Sequence, residues 1–176
     1  MVWYRRGKLM NISGIIWDDI ANGEGFRITI FISGCNHKCK GCQNPETWDF
    51  TRGIEFDKNI KDKIFEETRK NPLIDGITLT GGDPMYSSKE LITFIKRFKE
   101  EFPDKSVWLY TGFKWEEILK DNDMKELAEL CDIIIDEPFI LEQRDITLAF
   151  RGSRNQHIID CKESFKQNKL IEKDII

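Results

Sequence analysis

Ile28-Thr-Ile-Phe-Ile-Ser-Gly-Cys35-Asn-His-Lys-Cys39-Lys-Gly-Cys42-Gln-Asn-Pro45 sets a β-branched and aromatic run directly against three cysteines. The first five residues read as a strand, because such side chains suit a pleated, half-buried surface. The glycine-punctuated stretch after them reads as a loop. The pattern recurs along the chain. Gly76-Ile-Thr-Leu-Thr80, Val107-Trp-Leu-Tyr110 and Asp132-Ile-Ile-Ile135 are further strand candidates, with a weaker one from Gln156 to Ile159 and an opening one from Ile12 to Trp17.

Amphipathic helical patterns lie between these runs. Asp57 to Arg69 places Ile60, Ile64 and Phe65 on one side. Ser87-Ser-Lys-Glu90 has the form of a capping box, and the helix it opens carries Leu91, Phe94, Ile95 and Phe98 at i, i+3, i+4, i+7 up to the stop at Pro103. A third pattern, from Lys114 to Leu130, is interrupted at Asn122. Strand and helix in alternation imply right-handed βαβ units and a mostly parallel sheet. At roughly 30 residues per unit the chain holds about five. A complete eight-unit barrel takes about 250 residues, and this chain has 176. The expected fold is therefore α/β: a partial (β/α) barrel, with an open, curved, mostly parallel sheet of about five or six strands and helices outside. No repeat, linker or composition shift divides the chain. Residues 1–176 read as one domain with a core over about 11–160, and 161–176 as an unassigned tail, a solvated helix or frayed end.

Composition narrows the function classes. The formal charge is −4, which argues against a dedicated nucleic-acid binder, since phosphate binding needs a concentrated basic face. Arg5, Arg6 and Lys8 near the start are followed by no apolar run of the kind a secretory signal needs. No apolar stretch is long enough to span a bilayer. The expectation is a cytoplasmic protein with no membrane partner. In a reducing compartment, five cysteines are not a disulfide framework, and clustered ones point to metal or redox chemistry.

Cys35, Cys39 and Cys42 are spaced C-x3-C-x2-C in a loop with two glycines. Thiolates this close together can hold one soft metal centre. Zinc is one reading, with a fourth ligand from His37, Cys131 or Cys161. A [4Fe-4S] cubane is the other, with three irons on cysteine and the fourth iron open to a substrate. Gly41 and Gln43 flank Cys42, so their backbones must lie close to the centre. One βα unit later, Thr80-Gly-Gly-Asp-Pro84 ends a strand where parallel α/β sheets place their chemistry. It reads as a turn or as a ligand-binding edge formed by Gly81, Gly82 and Asp83. Tyr110-Thr-Gly112 reads as a strand-end turn and Asp136 as a cap for the next helix. Asn155 and Gln156 suit either a zwitterionic ligand or a structural network. Trp48, Trp108, Trp115 and Cys131 read as core, and His37 as a passenger in the loop.

The cysteine motif followed by a Gly-Gly-Asp-Pro strand end resembles the radical S-adenosylmethionine enzymes. The match narrows to activators of the anaerobic (class III) ribonucleoside-triphosphate reductase. It runs from about Asn11 to Gln156 and includes Asn22-Gly-Glu-Gly25, Gly41-Cys-Gln-Asn44 with Thr47-Trp48, Trp108-Leu-Tyr-Thr-Gly112 and Arg151-Gly-Ser-Arg-Asn-Gln156. Asp136-Glu137 departs from the more usual Asp-Gly of that family. The resemblance implies a [4Fe-4S] cluster on Cys35, Cys39 and Cys42, with S-adenosylmethionine chelating the fourth iron and its methionyl amine on the Gly81–Gly82 edge. It implies an oxidoreductase that cleaves S-adenosylmethionine reductively and places a glycyl radical on the reductase, with flavodoxin or ferredoxin as electron donor. It also leads to the expectation that Gly82→Val weakens S-adenosylmethionine binding while the cluster still forms. Rival readings are an activator of the pyruvate formate-lyase type, a radical maturase, a zinc-binding interaction module and a small electron-transfer protein.

Overall fold

Alternation within each strand assigns the two faces of the sheet. Ile28, Ile30, Ile32, Ile77, Leu79, Val107, Leu109, Ile134 and Ile159 all enter one aliphatic core. The residues between them are Arg27, Thr29, Thr78, Thr80, Trp108, Tyr110, Ile133, Ile135 and Ile158, and they face the other way. On that second face Trp108, Ile133, Ile135 and Ile158 form a smaller cluster, with Tyr110 and Phe150 against it.

The structure is a computed structural model that describes residues 10–175, so Arg5, Arg6 and Lys8 lie outside the described residues. Its strands are β1 (Asn11–Asp19), β2 (Phe26–Ile32), β3 (Ile54–Glu55), β4 (Ile74–Gly81), β5 (Ser106–Tyr110), β6 (Ile133–Ile135) and β7 (Ile158–Asp160). Its helices are α1 (Lys58–Lys70), α2 (Ser88–Glu101), α3 (Trp115–Ile118), α4 (Asn122–Leu130) and α5 (Cys161–Gln167). The strands form one sheet in the order β3-β1-β2-β4-β5-β6-β7. β2, β4, β5 and β6 run parallel, and antiparallel strands complete both sides. This is the open, mostly parallel α/β sheet expected, and it does not close into a barrel.

Two details of the sheet differ from expectation. The sheet has seven strands, because β3 is a two-residue pairing onto β1 that no periodicity announces. Only three crossovers join parallel strands, not five. The remaining length goes into the antiparallel flanks and the irregular stretch between β6 and β7.

Local chemistry explains the helix ends. The Asp57 carboxylate accepts the Ile60 amide at the start of α1. Asp121 does the same for Asp123 and Met124, which is why the third helical pattern breaks into α3 and α4. Ser87 makes no side-chain cap bond. The expected capping box is not formed, because a 3-10 turn over Pro84–Ser87 runs straight into α2 and leaves no extended cap residue.

The tail opens on a helix with one exposed face, as one reading expected, and it is not a frayed end. Cys161 begins α5 and is buried in the main core. Beyond Asn168 the chain returns along β7: Asp160 donates to the Ile171 carbonyl at 2.9 Å, and Lys173 to the Ile158 carbonyl at 2.7 Å. Among the described residues no helix is long and apolar enough to cross a membrane.

Candidate metal centre and ligand cavity

The carboxyl ends of the parallel strands surround a cavity of about 340 Å³. Cys35, Cys39 and Cys42 all line it, together with Gln43, Gly81, Gly82 and Asp83. Gly41 is not part of the wall. It is exposed and left-handed, and it turns the loop beneath Phe139 and Leu141. The loop is fastened at its base, where Gly34 donates to the Thr47 carbonyl at 2.7 Å and Cys35 to that of Trp48 at 3.1 Å. Trp48 is half-buried and lines the cavity, so it is not a core residue. Trp108 and Trp115 are buried as expected.

The donor set fits an iron–sulfur cluster better than a zinc ion. All five cysteines are free, but Cys131 and Cys161 lie in the main core and are absent from the cavity wall. His37 is engaged elsewhere, as described below. Among the described residues no group of three or more His, Cys, Asp or Glu is gathered closely enough for a single ion. Burial pushes the Cys35 thiol up to about 11, and backbone hydrogen bonds from His37 and Lys38 partly offset this. Burial also raises Cys39, opposed by a backbone bond from Phe139. The Asn44 amide points at the Cys42 sulfur from 3.4 Å. Amides aimed at the sulfurs stabilise thiolates and are the usual second layer around a cluster.

The Gly-Gly-Asp-Pro edge is tied to the cysteine loop by its backbone. Gly82 donates to the Ile32 carbonyl at 2.7 Å and Asp83 to the Gly34 carbonyl at 2.9 Å. The Asp83 side chain is 1 % exposed. It accepts the Thr111 hydroxyl at 2.9 Å, the Gly112 amide at 2.9 Å and the Met85 amide at 3.0 Å. His37 Nε2 is 2.9 Å from Asp83 Oδ2, so His37 is not a passenger.

The segment that follows β6 packs beside the cysteine loop and forms another part of the cavity wall. Asp136 is buried, and its carboxylate accepts the Trp115 amide at 3.1 Å. It caps α3, which precedes it, instead of a helix that follows. The neighbouring His157 binds its other oxygen at 2.9 Å. Glu137 takes the left-handed conformation, φ 67°, a backbone region that favours glycine. A side chain there costs about 1–2 kcal/mol, offset by local bonds. Its amide donates to the Phe113 carbonyl, its carboxylate accepts Asn155 at 3.0 Å and its carbonyl accepts Gln156 at 3.1 Å. Gln156 Oε1 also accepts the Gly152 and Ser153 amides. Asn155 and Gln156 thus enter a structural network, yet Gln156 also lines the cavity and the buried Asn155 Oδ1 has no hydrogen-bond partner. Glu137 and Arg151 do line the cavity, and the buried Arg151 Nε has no hydrogen-bond partner. Sequence reasoning gave neither residue a role.

Residues 21–159 match the family described as "4Fe-4S single cluster domain". The chain is similar to proteins named anaerobic ribonucleoside-triphosphate reductase-activating protein. It is 41% identical to that of Haemophilus influenzae over 143 residues, 80% of this chain and 91% of the relative. It is 35% identical to that of Escherichia coli K12 over 141 residues, 78% and 90%. With that of Enterobacteria phage T4 it shares 37% identity over 151 residues, 85% and 93%.

Proposed function

Because the chain belongs to the family of anaerobic ribonucleoside-triphosphate reductase-activating proteins, with their 4Fe-4S domain, we propose that it binds S-adenosylmethionine beside a [4Fe-4S] cluster and uses it to place a glycyl radical on that reductase. The observation that carries this reading is the convergence of three free cysteines and the Gly81–Gly82 edge on one cavity.

Cys35, Cys39 and Cys42 would hold the cluster and leave its fourth iron facing the cavity. When both groups are bound, the chemistry supplied is one-electron cleavage of the sulfonium to methionine and a 5′-deoxyadenosyl radical, which takes a hydrogen atom from a partner glycine. The protein supplies orientation. The Gly82 amide is spent on β2, so that edge offers carbonyl oxygen, which suits an ammonium group. Arg151 and Glu137, one of each charge, line the same cavity. A wall with both signs of charge suits a zwitterionic ligand. The electron donor would be a flavodoxin or ferredoxin.

The open sheet supports a macromolecular substrate. A backbone glycine cannot enter a closed pocket, and a sheet that does not close leaves one flank for a protein to approach. The reduced, reconstituted protein is mixed with S-adenosylmethionine and the reductase, and electron paramagnetic resonance reads the radical. A glycyl signal on the reductase is expected. S-adenosylmethionine cleavage without that signal would refute the partner, and absence of cleavage would refute the cofactor.

A further inference from the structure

His37 stands between the first two cysteines and reaches away from them. Its ring packs edge-on against Phe113, centroids 4.7 Å apart, and tilted against Tyr86 at 5.7 Å. It also fills the space beside Gly112, where a Cβ would come within 2.6 Å of the ring. Its Nε2 meets Asp83 Oδ2 at 2.9 Å. A carboxylate only accepts, so Nε2 carries the hydrogen. Asp83 in turn holds Thr111 and Gly112 beyond the end of β5. One imidazole therefore joins three strand ends: the cysteine loop after β2, the Gly-Gly edge after β4 and the turn after β5.

The rest of the loop has ties of its own, the Phe139 backbone to the Cys39 sulfur and the Asn36 backbone to the Tyr86 hydroxyl, and neither reaches the Gly81–Gly82 edge itself. Its base is bonded through Gly34 and Cys35, but further along Cys42 donates back to Cys39 within the loop. Lys40 approaches Glu142 at 3.8 Å with both side chains exposed, a contact worth little. We propose that His37 is a positioning residue: its hydrogen bond to Asp83 locks the cysteine loop to the Gly81–Gly82 edge, fixing their separation before cluster or ligand is loaded. The inference rests on the S-adenosylmethionine reading only for what that edge receives.

Three variants separate the hydrogen bond from packing. His37→Phe keeps an aromatic ring without Nε2, His37→Gln can still reach Asp83 with an amide, and His37→Asn is polar but too short. Amide hydrogen exchange over residues 35–44 is measured in cluster-free protein. The Phe and Asn variants are expected to exchange about tenfold faster or more, the factor a hydrogen bond to a charged group is worth, and the Gln variant within about threefold of the parent. The second readout is the spectral change of the reduced cluster on adding S-adenosylmethionine, expected to be lost in Phe and Asn and kept in Gln. Parent-like exchange in both Phe and Asn, or a Gln variant as disturbed as they are, would overturn the proposal. If the parent shows no spectral change, the S-adenosylmethionine reading fails, while the exchange result still decides the role of His37.

Discussion

Gly82→Ala puts a methyl group where the structure has no room. A Cβ at this position lies 2.5 Å from the Gly34 carbonyl oxygen and 2.9 Å from the Gly34 carbonyl carbon and amide nitrogen. These are backbone atoms of the segment leading into Cys35, so relief means moving the chain. Gly82 is not among the glycines with positive φ, so the cost is steric and not conformational. Overpacking of this kind costs about 1–3 kcal/mol. At about 2–4 °C per kcal/mol for a chain of this size, the melting midpoint of cluster-free protein should fall by roughly 2–12 °C. The displaced Gly34 carries Cys35 with it, so iron and sulfide retained after anaerobic reconstitution should fall as well. This differs from the expectation drawn from sequence for Gly82→Val, an intact cluster with only the ligand lost. Differential scanning calorimetry and iron–sulfide analysis of Gly82→Ala decide between them. An unchanged midpoint with full iron content would refute the steric argument.

Cys39→Ala leaves two thiols on the cavity wall and should abolish cluster retention, read as loss of iron–sulfur absorbance. A fully loaded variant would move the ligand set elsewhere. Arg27→Lys keeps the charge but loses the planar fork whose five N–H groups bond Thr78, Glu24, Ser106 and Ile77. A loss of about 2–4 kcal/mol is expected in urea unfolding, and a loss within experimental error would show that the fork carries no stability. Burial pushes the Asp132 carboxyl up, but hydrogen bonds from Lys99 and the Val107 amide more than offset this and hold it below the ordinary 3.8. A depressed acid stabilises fully above its unfolded pKa and loses that contribution as pH falls through the folded one, here below about pH 4. Asp132→Asn should therefore be less stable at pH 7 and show a flatter loss of stability into acid; an unchanged slope would rule out this linkage.

The strands were legible because alternation writes both faces into the chain. Ile28-Thr-Ile and Ile77-Thr-Leu-Thr80 put aliphatics toward the helices and hydroxyls toward the inner face. That the three cysteines share one cavity was legible for another reason, since their spacing suits a common centre. What escaped was long-range. His37 shows no local sign of its bond to Asp83, which is 46 positions away. Ser87 has the right neighbours for a cap, but Pro84 starts a 3-10 turn that removes the cap geometry. The wall formed by Glu137 and Arg151 comes from an irregular segment with no periodicity. A charged residue directly after Asp136, in a position that requires φ above zero, was its one local sign.

Arg27 had such a sign too: a charge inside the β-branched and aromatic run from Phe26 to Ile32. Its guanidinium is 1 % exposed, lies over the Trp108 ring at 5.3 Å and has no carboxylate among its hydrogen-bond partners. Burial draws its pKa down only to about 10, so it stays charged at neutral pH. A buried cation held by neutral acceptors contributes less than an apolar plug would unless every donor is satisfied, and here all five are. The consequence is directional. Arg27 crosses from β2 to β4 and β5 near the amino ends of the strands, and outside it the Lys173–Glu24 ion pair stands on the wall of a second cavity. The cysteine cavity lies at the carboxyl ends. With the amino ends filled by the fork and Trp108, a ligand or partner segment must reach the cysteines from the carboxyl side or across the open flank of the sheet. The same inner face thus uses hydrogen-bonded charge to fill one end, while at the other Glu137 and Arg151 line the space a ligand would fill.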